Sequence, residues 1–169
     1  SSKLVFSLLS KTGFKDSNAM VTSKMYDTLA SSCAWATEFS LSFASLVFPQ
    51  CLISLADSKA TGSITTFLFE LAECIGAESL QALILKHLEG IKSPKSIQCS
   101  LNFLVELLNK FGAKEFSIVP MIDSIKKFLS FAQGTVRQAA IDFFAELTSQ
   151  TGLKYQERIM DGLNSTLSA

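Results

Sequence analysis

The chain is poor in the residues that break helices. It holds 3 Pro and 8 Gly in 169 residues, too few for a disordered segment or for the many tight turns of an all-β domain. It carries no excess charge of either sign, since 15 Lys and Arg face 15 Asp and Glu. A general nucleic-acid binder needs surplus cations to displace counterions, so no nucleic-acid partner is expected. Histidine occurs once, as His87, and Cys33, Cys51, Cys74 and Cys99 include no CxxC pair. That leaves no zinc-ligand spacing, and the thiols read as buried free cysteines of a reducing cytosol. There is no Gly-rich phosphate loop and no nucleophile motif near His87, so no cofactor and no enzyme activity are expected. The opening "SSKLVFSLLSKTG" has too short an apolar run for a secretory signal. Phe39 to Ala56 is uncharged and about one membrane span long. Ser40, Ser42, Ser45, Pro49, Gln50 and Ser54 interrupt it, so it reads as a buried helix, with no membrane partner.

What the chain does have is repetition. "FLFELAECIG" (Phe67–Gly76), "FLVELLNKFG" (Phe103–Gly112) and "FFAELTSQTG" (Phe143–Gly152) align without gaps. Each runs from an aromatic through Glu-Leu to a Gly five residues on. Glu70, Glu106 and Glu146 are separated by 36 and 40 residues, the period of helical-hairpin repeats of the HEAT type. "MYDTLASSC" is a fainter copy with Asp27 in the Glu position. The Gly after the last apolar turn can take the left-handed conformation that closes a helix. Each aligned segment is therefore the end of a second helix in a hairpin. "LVFPQCLISLADSK" and "SIVPMIDSIKKFLSFAQGTVR" read as first helices bent by an internal Pro. The glutamates, one per repeat, read as structural, and the Phe residues at helical spacing as core.

Periodicity and stop signals predict helices over 2–12, 18–33, 39–56, 60–75, 77–91, 95–111, 115–131, 135–151 and 154–167. Short turns join them and no linker separates them, so residues 1–169 read as a single domain. The fold class is all-α: an α-solenoid of HEAT-like hairpins, about four plus a final helix.

A solenoid shows every inner turn on one edge. Eleven residues before Glu70 is Lys59, eleven before Glu106 is Lys95, and eleven before Glu146 is Thr135, with Arg137 two further on. Counting back from Asp27 leads to Asp16, beside Lys15 and near Asn18. Lys59, Lys95 and Arg137 are expected in the first turn of a second helix, each opposing the helix dipole at about 0.3–1 kcal/mol. Repeated at one edge, that choice points to an acidic partner. The competing reading is local pairing, with Arg137 bound to an Asp of an adjacent turn and Asp57 serving Lys59.

"FKDSNAMV", "LADSKATGSITTFLFELAECIG", "KSPKSIQCSLNFLVELLNKFG" and "GTVRQAAIDFFAEL", in that order, resemble the TOG domains of tubulin-polymerase microtubule regulators. The resemblance spans nearly all of the chain. It implies a flat, paddle-like HEAT array that binds αβ-tubulin or microtubules through its inner-turn edge, without catalysis, in the cytoplasm at microtubules, spindle or centrosome. The contact residues it carries over are Asn18, Lys59, Lys95 and Arg137, with Lys15 and Thr135 as secondary candidates. The family's first repeat, with an aromatic in its inner turn, has no counterpart here. A generic HEAT scaffold, docking another protein or adjacent domains of its own chain, is the alternative.

Overall fold

The computed structural model describes Phe14, Asp16 and residues 18–35, 41–57 and 59–167, with backbone alone at 34, 35, 57 and 162–167. The expected helix over 2–12 and the candidate Lys15 lie outside the described residues, as does the side chain of Asp57. The α-helices are α1 (Ala19–Trp35), α2 (Leu41–Asp57), α3 (Thr61–Ile75), α4 (Ala77–Gly90), α5 (Pro94–Phe111), α6 (Ile118–Ile125), α7 (Gly134–Thr151) and α8 (Gln156–Leu167). Short 3-10 turns cover Ala113–Glu115, Lys126–Ser130 and Gly152–Tyr155, and no strand occurs among the described residues. The chain divides into two compact units, Ser1–Leu83 and Ile84–Ala169, with the border inside α4.

In the first unit α3 packs against both α1 and α2. The Tyr26 ring of α1 lies 6.0 Å from the Phe67 ring of α3, and the Phe14 ring also lies 6.0 Å from that of Tyr26. Seven residues further along both helices, the Cys74 thiol meets the Cys33 carbonyl oxygen at 3.3 Å. Two contacts that advance together along both chains mean that α1 and α3 run parallel. α2 buries Phe43, Val47, Phe48, Cys51, Leu52 and Leu55, with Pro49 inside the helix. No helix among the described residues is long and apolar enough to cross a membrane.

In the second unit α5 and α7 are the packed pair. The amide of Gln150, near the end of α7, donates to the Leu108 carbonyl at 3.0 Å and accepts from the Ala113 N–H at 2.8 Å. Gln150 thus satisfies the Ala113 N–H and adds a second donor to the Leu108 carbonyl, which also accepts from the Gly112 N–H at 2.9 Å. Glu146, one turn back, accepts from Gln150 at 2.7 Å and steadies it. That is the structural duty expected of this glutamate. α8 docks by its Arg158, which holds both carboxylate oxygens of Asp123 on α6, at 3.2 and 2.5 Å.

Phe67, Phe103 and Phe143, the aligned aromatics, are all shielded from solvent. The buried set Val136, Ala139, Ala140, Phe143, Phe144 and Leu147 of α7 has the three-and-four spacing of a core-facing helix.

The expected helix over 115–131 is interrupted. Residues 113–115 form a separate 3-10 turn, α6 spans only Ile118–Ile125, and 126–130 tighten into 3-10 geometry. Pro120 is therefore the third residue of α6. Its missing N–H falls among the donors a helix leaves unpaired at its start. Pro49 is inside its helix as expected; Pro120 is not a mid-helix bend. The thiols also differ from expectation. Cys33 and Cys51 are buried, but Cys99 is half-buried and Cys74 exposed, because it sits in the last turn of α3.

Gly76, Gly112 and Gly152 are the described glycines at positive φ, at 88°, 82° and 62°. They are the three aligned glycines. Their ψ values of 139°, 149° and −147° are not those of the left-handed helix cap. They belong to an extended region that side chains exclude. The chain thus leaves each helix abruptly. Gly112→Ala should cost about 1–3 kcal/mol. Gly62, in the first turn of α3 with open space around it, should as Ala gain about 0.4–1 kcal/mol. Urea unfolding of both variants checks the opposite signs.

Candidate interaction edge and family membership

The parallel pairing decides which candidates share a helix end. In the first unit it puts the starts of α1 and α3 at one end, with Asn18 and Lys59 there. In the second it does the same for Lys95, Thr135 and Arg137 at the starts of α5 and α7. All five are exposed.

Their local settings differ. Asn18 is the N-cap of α1: its Oδ1 accepts from the Met20 N–H at 2.9 Å and its carbonyl from the Thr22 N–H at 3.1 Å. Its own N–H donates to Asp16 Oδ1 at 2.8 Å. Asp16 therefore orders this turn. Lys59 lies before the helix, not in its first turn as expected, because α3 starts at Thr61 after the N-cap Ala60. α3 has 15 residues where α5 and α7 have 18. Counting back from the glutamates therefore overran its start. The dipole cost does not apply to Lys59 as it would inside the helix.

Lys95 is the second residue of α5, behind Ser93 as N-cap and Pro94 as first helical residue. That Ser-Pro start is pre-organised for a helix. Lys95 does occupy the first turn. Thr135 holds the same second position in α7, so the count from Glu146 was in register there.

Arg137 is the fourth residue of α7, and its guanidinium turns back on its own turn. Nη1 donates to the carbonyls of Phe131 at 2.7 Å and Ala132 at 2.9 Å. Nη2 lies 3.5 Å from where a Cβ on Gly134 would sit. The cation at a helix start is thus compensated by two carbonyl dipoles. The acceptors are carbonyls of its own turn, not the Asp of an adjacent turn considered from the sequence.

Two further exposed features share these ends. Lys92 stands in the same turn as Lys95, two residues before Pro94. Met20, 76% exposed, and Val21 follow Asn18. The signal for both was in "KSPK" and "NAMV", but a count of one position per repeat passed over them. The remaining titratable candidate, His87, is half-buried on α4, and burial pushes its pKa down. No group of His, Cys, Asp or Glu that could hold a metal occurs among the described residues.

Paired second helices, three of them closed by an aligned glycine, define a HEAT-like helical-repeat module. Solved structures share the fold. Drosophila melanogaster Mini spindles TOG3 matches with a TM-score of 0.83 at 22% identity, over 97% of this chain and 70% of that one. A structure from work on crescerin, described as using a TOG domain array to regulate microtubules in the primary cilium, matches with a TM-score of 0.81 at 21% identity, over 97% and 67%. A third, described under TOG–tubulin binding specificity in microtubule dynamics and mitotic spindle formation, matches at 0.72 and 18%, over 86% and 61%. No curated protein matches. The family model described as XMAP215/Dis1/CLASP, TOG domain, covers residues 5–167. The chain belongs to the XMAP215/Dis1/CLASP TOG-domain family.

The hydrogen bonds of Asn18 and Arg137 make stability predictions that a pure contact role would not. Asn18→Ala should lower unfolding free energy by about 1 kcal/mol, and Asn18→Ser should restore most of it. Arg137→Ala should cost about 1 kcal/mol through its two carbonyl bonds. Thermal melts of the three variants check both.

Proposed function

We propose that this chain is a non-catalytic tubulin-binding module of a microtubule-dynamics regulator, acting as one unit at the microtubule cytoskeleton. Its contact residues are Asn18, Lys59, Lys95 and Arg137, with Lys15 and Thr135 beside them and Lys92 added from the structure. The observation that carries this reading is the parallel helix pairing in a chain of the TOG family, which puts the exposed Lys59 at the helix starts of the first unit and the exposed Lys92, Lys95 and Arg137 at those of the second. Tubulin's surface is acidic, so these ammonium and guanidinium groups would make charge-assisted hydrogen bonds to carboxylates. Arg137 would do so with the donors that its own turn leaves over. The packed helices would hold the spacing of the contacts, and several such modules on one chain would gain by avidity.

Lys59 is a cleaner probe than Asn18 or Arg137, which also hold their own turns. The test is co-migration of the purified chain with αβ-tubulin on gel filtration at low and moderate salt. The wild-type chain should form a complex that weakens as salt screens the charges. Lys59→Glu with Lys95→Glu should abolish it. The melting temperature should hold or rise, since an acid in the first turn of α5 suits the helix dipole. A wild-type chain without complex at low salt would favour the scaffold reading, in which the partner is another protein or an adjacent domain. A charge-reversed chain that still co-migrates would remove these residues from the interface.

A further inference from the structure

Cys33 and Cys74 lie in the last turns of α1 and α3, at the opposite helix ends from Asn18 and Lys59. They are 41 residues apart in sequence, and the Cys74 thiol reaches the Cys33 carbonyl oxygen at 3.3 Å. One is buried and the other open to solvent. Such a pair differs from Cys51, which is wholly enclosed beside Tyr26, and from Cys99, which is half-buried on α5.

We propose that Cys33 and Cys74 are a redox-sensitive modification site, converted by a low-molecular-weight disulfide such as glutathione disulfide into a bond that ties α1 to α3. Cys74 is the sulfur that reacts first. It is exposed, whereas burial, then the neighbouring Cys74 and Glu70, push the Cys33 thiol up to about 12. The Cys74 thiolate attacks one sulfur of glutathione disulfide, forming a mixed disulfide and releasing one glutathione thiolate. Cys33, losing its proton, then attacks Cys74 Sγ and releases the second. Two cysteine sulfurs are oxidised, one glutathione disulfide is reduced, and the two thiol protons end on the two glutathiones. Both cysteines sit where their helices end, so the backbone can make the small adjustment that disulfide geometry requires. Closing this loop removes freedom from the unfolded chain and should stabilise the first unit.

The test is to treat the reduced chain with glutathione disulfide, block remaining thiols by alkylation, and measure intact mass and peptide linkage. The expected product has lost two hydrogens and yields a Cys33–Cys74 linked peptide. Its urea midpoint is higher than that of the reduced chain and returns on reduction. Cys74→Ser should give no internal disulfide and no shift of midpoint. Cys33→Ala should stop at one glutathione on Cys74, and it reports this even if the variant is less stable. A wild-type chain that keeps glutathione on Cys74 without closing the bond would overturn the proposal. So would a linkage through Cys51 or Cys99.

Discussion

The structure depends on one repeated constraint: a bulky aromatic ring must be kept from water where two second helices lie side by side. Tyr26, Phe67, Phe103 and Phe143 all meet it. Burying such a ring is worth roughly 1.5–3 kcal/mol of transfer free energy, and truncating it would leave a cavity that costs still more. A helix carrying only one buried stripe cannot satisfy this alone. It needs a neighbour at a fixed register, and that register makes the neighbours parallel. The meeting of Tyr26 with Phe67 and of Cys33 with Cys74 at the same offset is the same fact seen at two heights of one helix pair.

Parallel neighbours create a problem at each end and solve it with polar side chains. At the C-terminal end of α5, Gln150 of the adjacent helix accepts from the Ala113 N–H and adds a second donor to the Leu108 carbonyl, and Glu146 holds the Gln150 amide in place. At the N-terminal ends, unpaired N–H groups need acceptors, and Asn18 and Ser93 supply them. Arg137 resolves the remaining conflict by reaching back to the carbonyls of the turn before it. Each turn built this way has little slack. Some of the side chains that could meet a partner are also the ones that shape the turn. Asn18 and Arg137 each carry hydrogen bonds that shape their own turns, whereas Lys59 stands outside its helix.

Much of the architecture was legible in the chain because it is periodic. Glycine five residues after a Glu-Leu is a local signal with a local cause, and all three aligned glycines do close helices at positive φ. The helix spans were close to expectation for α1 to α5 and α7. They failed at residues 113–130, where Ile118–Ile125 is only a short helix between 3-10 turns. The apolar spacing of that segment suits either geometry, so periodicity could not find the breaks. The register at Lys59 failed for a related reason. Counting from a shared glutamate assumes helices of equal length, and α3 is a turn shorter.

The sequence by itself determined that the protein is helical, repetitive and without a net charge. It also determined that cations recur near the starts of the second helices. Those properties follow from spacing and composition, which act over a few residues. Only the tertiary structure decided which ends come together, that Asn18 and Arg137 are tied into their own turns, and that Cys74 rests against Cys33. These depend on helix length, register and side-chain direction between segments some forty residues apart. No local pattern encodes them, because they are settled by packing.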